Sequence, residues 1–152
     1  MNNDIAFSKE QNHFTLRAGA IIIKNNSVLM AKHKDIAGYY SIGGKVKFNE
    51  STQQAVTREV FEETGLKLQV HKLAFVHEYF HYHPITKEPE HQIVFYYVMK
   101  PLTNQKLISN SQVESLHWIP LTELPKHIIY PSFFKDKLLN NMKEIQHVID
   151  RV

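Results

Sequence analysis

Cysteine is absent from the 152 residues. Its absence excludes disulfides and cysteine-based zinc centres, and it is compatible with a cytoplasmic location. No stretch approaches the ~20 apolar residues of a membrane-spanning helix, so no membrane partner is expected. Residues 1–12 are mostly polar and include Asp4, Lys9 and Glu10; they lack the apolar region of a secretory signal. Charge of one sign is also scarce. Eighteen Lys and Arg face fifteen Asp and Glu, a net of +3. Such a balance suits a polyanionic small molecule and argues against a nucleic-acid partner, which calls for a pronounced basic stripe. There is no internal repeat and no low-complexity segment. The hydrophobic share is 43%, enough for one domain that buries about 68–70% of its unfolded surface.

Only five glycines are present, and two are adjacent at Gly43-Gly44, where backbone can approach a ligand closely. A helix is predicted after them. Ser51 with Gln54 fits a capping box, with Asn49 as a competing cap. Val56 and Val60 form its core side, and Gly65 reads as its stop. This helix carries Glu59, Glu62 and Glu63 on one face. They lie in its last turn, where the helix dipole disfavours anions, and they repel one another. A hard divalent cation would compensate, since carboxylate oxygens are what Mg²⁺, Mn²⁺ or Ca²⁺ accept. Arg58 can pair with Glu62 and, if the preceding loop folds back, with Glu50. It is read as an orienter of carboxylates.

The spacing from Gly44 through Glu50, Arg58-Glu59-Val60 and Glu62-Glu63 to Gly65-Leu66 resembles the complete signature of the Nudix hydrolases. The resemblance implies an α/β fold, a Nudix-like α/β/α sandwich with a mixed central sheet. It implies hydrolysis of a nucleoside diphosphate linked to another group, either a nucleoside triphosphate (oxidised or not) or a nucleotide sugar such as ADP-ribose. Mg²⁺ is the implied cofactor, with Mn²⁺ as its substitute. Glu59, Glu62, Glu63 and the Gly44 carbonyl would hold the metal. Glu59, Arg58 and Glu50 would form the catalytic group. The family also contains homodimers. A binding module that senses a nucleotide without hydrolysing it is the alternative, and the full set of carboxylates argues against it. Ile42 stands where the family often has proline.

Along the rest of the chain, residues 1–13 read as a flexible tail and residues 14–152 as a single domain. Leu16 to Lys24 and Ser27 to Lys34 read as strands joined at Asn25-Asn26. Leu68 to Tyr82, His91 to Lys100 and Glu114 to Pro120 read as further strands. A final helix is expected from Pro131, with Phe133, Phe134, Leu138, Leu139, Met142, Ile145 and Ile149 as its apolar stripe.

Lys45, Lys47 and Lys32 are candidates for phosphate contacts. Tyr40, with Tyr39, Phe80 and Tyr82, could stack on a base, although strand aromatics also serve as core. Glu114 and Glu78 are candidates for a fourth carboxylate, and Gln92 cannot act as an anion. His77, His81 and His83 alternate along one strand with His91 on the next; partly exposed histidines near a substrate loop are the preferred reading over a zinc site.

Overall fold

The computed structural model describes residues 2–101, 103–108, 115–140 and 142–152. The N-terminal segment, expected as a tail, carries β1 (Ala6–Lys9), which pairs antiparallel with β2 (Asn12–Ile21). Two contacts explain the difference. The Phe7 ring meets Phe14 across the hairpin at 5.2 Å, and the Ile5 N–H donates to the Val46 carbonyl at 2.8 Å. A short apolar contact and a backbone pair anchor a segment whose composition alone reads as loose.

The expected hairpin forms from β3 (Ile23–Lys24) and β4 (Ser27–Lys32). Asn25 and Asn26 both take positive φ, 50° and 60°, as a tight two-residue hairpin turn requires. Strand β5 (Tyr39–Lys45) follows, then helix α1 (Thr52–Thr64). Strands β6 (Val70–Tyr82) and β7 (Pro89–Met99) form a long antiparallel pair. After them come β8 (Ser115–Pro120), a 3₁₀ turn (Leu121–Lys126), β9 (Ile129–Tyr130), the short α2 (Phe134–Lys137) and β10 (Gln146–Arg151).

Among the described residues the strands join into one mixed sheet, ordered β10-β6-β7-β2-β5-β4-β3 along its main path. Strand β2 runs parallel to β7 and antiparallel to β5. Alternation along β2 divides the core in two. Ala18 and Ala20 join Ile42, Val56, Val60 and Tyr97 under α1. On the opposite face Ile21 joins Phe75, Tyr96, Phe133 and Phe134 under the 3₁₀ turn and α2. Ile42 is fully buried beneath α1, a place where an isoleucine side chain adds apolar contact that a proline ring would not reproduce.

The final helix is a correction. Helix α2 ends after four residues, and residues 146–151 are an edge strand parallel to β6. Phe133, Phe134 and Leu138 are buried as the stripe requires, but Ile145 and Ile149 are each 60% exposed. Burial along β10 alternates with period two. The free edge of β6 offers a backbone ladder to a segment rich in β-branched residues, and that pairing wins over helical spacing.

Candidate active site

Helix α1 is fixed locally at both ends. The Ser51 hydroxyl accepts from the Gln54 N–H at 3.1 Å, and the Gln54 side chain accepts from the Ser51 N–H at 2.8 Å. The competing cap, Asn49, instead takes a positive φ of 67°. At the other end Gly65 has φ 76° and donates to the Phe61 carbonyl, the left-handed stop that glycine adopts without steric cost. The helix is tied to the sheet by the Tyr97 hydroxyl, 2.6 Å from Thr52 Oγ1.

With the helix so held, Arg58 reaches four acceptors. It donates twice to Glu50, from Nε at 2.8 Å and from Nη2 at 3.0 Å. Nη1 donates to Glu59 at 2.9 Å and to Glu62 at 3.3 Å, and Nη2 also donates to the Lys45 carbonyl at 3.0 Å. Glu50 accepts a further bond from the Lys47 N–H at 3.0 Å. The Arg58 hydrogen bonds hold the Glu50 carboxyl below the usual carboxylate range, and the Glu50 carboxylate in turn raises Arg58. The loop does fold back, and Arg58 is the hub of the site.

Glu59 and Glu63 are in a different electrostatic position. Burial raises the Glu59 carboxyl, opposed by Arg58. Burial and then the neighbouring Glu59 push Glu63 up to about 8, opposed by the Gly43 N–H, which donates to it at 3.3 Å. Gly44 makes room for this arrangement. A Cβ on Gly44 would lie 2.3–2.5 Å from the Glu59 carboxyl atoms. At Gly43, φ is 156° and a Cβ would meet the Ala18 carbonyl oxygen at 2.3 Å.

Two half-buried carboxylates held together beside a glycine backbone fit a divalent cation, whose charge would offset their repulsion and partial burial. Among the described residues no three His, Asp or Glu side chains are gathered to hold an ion as they stand. Arg58 engages both Glu59 and Glu62 here.

The other sequence candidates separate. Lys45 is exposed on β5 in register with Arg17. Lys47 is half-buried, and its backbone forms an isolated antiparallel bridge with Asp4. Lys32 lies over the Tyr39 ring at 5.4 Å. Tyr40 stacks on Tyr130 at 4.8 Å, and its hydroxyl is pushed up to about 12 by burial. Glu78 pairs with His147 at 2.5 Å on the β10 edge, and Gln92 donates to Glu90 at 3.3 Å. Glu114 lies outside the described residues. His77 and His81 share a face of β6 and sandwich Tyr79 at 5.0 and 4.1 Å. His91 pairs with Phe80 and stacks on it at 4.3 Å, on the opposite face. His83 lies beyond the end of β6. The four histidines do not converge.

Sequence reasoning missed Arg17. Its charge acts on Glu59, Glu63, His81 and Tyr96, so its field reaches both the carboxylates of α1 and side chains of β6 and β7. The signal was available: Arg17 is the one charged residue in the run Leu16 to Ile23.

Comparison with known proteins gives the family and the fold. Residues 13–139 match the family described as NUDIX domain. The chain is 27% identical over 117 residues to the ADP-ribose pyrophosphatase of Methanocaldococcus jannaschii, covering 75% of this chain and 66% of that protein. It superposes on the MutT NUDIX hydrolase of Burkholderia pseudomallei with a TM-score of 0.59 and 26% identity, covering 71% and 84% of the two chains. The MutT protein of Methanosarcina mazei shares the fold, with a TM-score of 0.67 at 19% identity over 86% and 96%. The chain spans 20–66% of the length of the curated relatives it matches. With the signature helix, the glycine cradle and the family match over most of its length in agreement, the chain belongs to the Nudix family.

Proposed function

We propose that this protein is a pyrophosphohydrolase that cleaves a P–O–P link in a nucleoside diphosphate joined to another group. The observation that carries the reading is the pair of half-buried, mutually repelling carboxylates, Glu59 and Glu63, cradled against Gly43-Gly44. Glu59, Glu62 and Glu63 would hold the ion, with the Gly44 carbonyl beside them, and Mg²⁺ or Mn²⁺ suits such oxygen ligands. The bound ion would neutralise phosphate charge and increase the acidity of water.

The chain's own residues have separable roles. Glu59 is the candidate proton acceptor for attacking water. Arg58 orients Glu59 and Glu62, and Glu50 holds Arg58 through two parallel bonds. Arg17 meets the diphosphate, with Lys45 and Lys47 at its margin. Tyr40 and Tyr130, already stacked, form a wall for a base. The expected setting is cytoplasmic. Both nucleoside triphosphates and nucleotide sugars are substrates compatible with this arrangement, and the ADP-ribose pyrophosphatase relative supports the second class.

The test is product release over a panel of nucleoside triphosphates, dinucleoside polyphosphates and nucleotide sugars, with Mg²⁺ and then Mn²⁺. Turnover of one class, lost in Glu59→Gln and in Glu62→Gln/Glu63→Gln, is the expected result. Full activity of Glu59→Gln at saturating metal would overturn the assignment. Tight nucleotide binding without turnover would instead establish a sensing module.

A further inference from the structure

We propose that two copies of this chain associate edge to edge, with β10 of one pairing antiparallel to β10 of the other in the register that sets Val148 opposite itself. This association stands apart from the hydrolase reading. Among the described residues β10 pairs with β6 alone, so one of its sides is open. The Val152 N–H donates to the Phe80 carbonyl. In a parallel ladder alternate residues bond to the neighbouring strand. Asp150, Val148 and Gln146 therefore bond toward β6, and the N–H and C=O groups of Arg151, Ile149 and His147 point outward. The side chains of those three residues are exposed as well, Ile149 to 60%. Edge strands are commonly blunted by lysine, proline or a bulge. Residues 145–152 contain neither lysine nor proline, and the β10–β6 register runs unbroken from Gln146 to Arg151. Outward amides on a strand with β-branched residues fit a further strand.

The side chains select a second copy as that strand. A two-fold axis normal to the sheet keeps like faces together, so opposed residues differ by an even number of positions. With Val148 on the axis, Gln146 of each copy meets Asp150 of the other, His147 meets Ile149, and Ile145 meets Arg151. The Gln146 amide is placed to donate to the Asp150 carboxylate, which is 27% exposed and 3.5 Å from His77. The Arg151 stem covers Ile145, itself 60% exposed, while its guanidinium keeps its place over Phe80. No like charges are opposed. A slide of two residues one way would set Asp150 against Val148, and the other way against Glu144. A ladder over residues 145–151 spans about 24 Å, a contact at the small end of specific interfaces, which points to a micromolar dissociation constant. Strands β6 and β7 stand between β10 and β2, the strand under α1, so the pairing leaves the carboxylates of α1 open.

The test follows mass by sedimentation velocity over roughly 1–500 µM protein. Wild type is expected to pass from monomer to dimer in that range. Ile149→Pro removes an outward N–H that the monomer does not use, so it should unfold thermally like wild type and weaken the dimer by about 10-fold or more. The lack of cysteine allows a check of the register itself. Val148 would form a non-hydrogen-bonded antiparallel pair with its own copy, with Cα atoms about 4.5 Å apart, within disulfide reach. Val148→Cys should therefore cross-link under mild oxidation. Ile149, although more exposed, would stand roughly 7–8 Å from its own copy, at or past that reach, and Ile149→Cys should cross-link at least about 10-fold more slowly. A wild type that stays monomeric throughout, a dimer undiminished in Ile149→Pro, or Ile149→Cys cross-linking as fast as Val148→Cys would overturn the inference. Should Ile149→Pro fail to fold, the order of the two cysteine variants still decides.

Discussion

The apo protein should lose stability as pH rises above neutrality, and a divalent cation should restore it. Glu63 drives the effect. Its carboxyl is raised from 4.5 to about 8 in the folded state, by burial and by Glu59. A carboxyl raised on folding stabilises the protein while protonated, and that contribution is lost as pH climbs from the unfolded to the folded value. The window is therefore 4.5 to about 8. His77 acts with the opposite sign: burial lowers its pKa, so its contribution is present above 6.5 and lost below. Above pH 6.5 the Glu63 effect stands apart from that of His77. The part of the shift between 6.5 and 8 amounts to about 2 kcal/mol. For a chain of this length that is a fall of roughly 4–8 °C in Tm. The assay is thermal unfolding by circular dichroism in chelator at pH 6.5, 7.5 and 8.5. Glu63→Gln should flatten the slope, and Mg²⁺ should raise Tm more at pH 8.5 than at 6.5, because the ion binds the ionised carboxylate. A wild-type Tm that is flat or rising with pH in chelator, or an unchanged slope in Glu63→Gln, would refute the reasoning.

Other outcomes follow from single contacts. Arg58→Met leaves Glu50 and Glu59, at 16% and 13% side-chain exposure, without their counter-charge; unfolding in urea should show a loss of about 3 kcal/mol. Gly44→Ala drives a Cβ into the Glu59 carboxyl, so Glu59 must swing away; activity on the best substrate should fall by about 100-fold or more, with far-UV dichroism unchanged. Tyr97→Phe removes the 2.6 Å hydroxyl contact to Thr52 and should cost about 1 kcal/mol by the same urea measurement.

The signature helix was legible because everything that specifies it is local. Its cap, its glycine stop and the Arg58–Glu62 spacing all lie within fifteen residues, and each appears as read. The Asn25-Asn26 turn was legible for the same reason. The C-terminal segment was not. Phe133, Phe134 and Leu138 fit a helical stripe, but what decides residues 146–151 is the open edge of β6, some seventy residues earlier in the chain. No window centred on β10 contains that edge. Residues 6–9 misled in the same way, since their partner strand and Val46 are what anchor them. In the site, the Glu50–Arg58 pair was foreseen only on condition that the loop folds back, which it does, whereas the placement of Arg17 beside Val94 exists only through the register of β2 against β7.

Tyr96 and Tyr97 are consecutive on β7 and point to opposite faces of the sheet. Tyr97 grips the first turn of α1 through Thr52. Tyr96 lies over Gly19, where a Cβ would sit 2.4 Å from its ring, and its hydroxyl is 3.4 Å from Ser41 on β5. The helix that supplies the carboxylates and the strand that supplies the glycines are thus indexed to one dipeptide. A one-residue slip of β7 would exchange the two rings between faces and disengage both attachments at once. The alignment of acid and cradle is then inherited from the alternation of a single strand, and drift in either part is checked against the same reference.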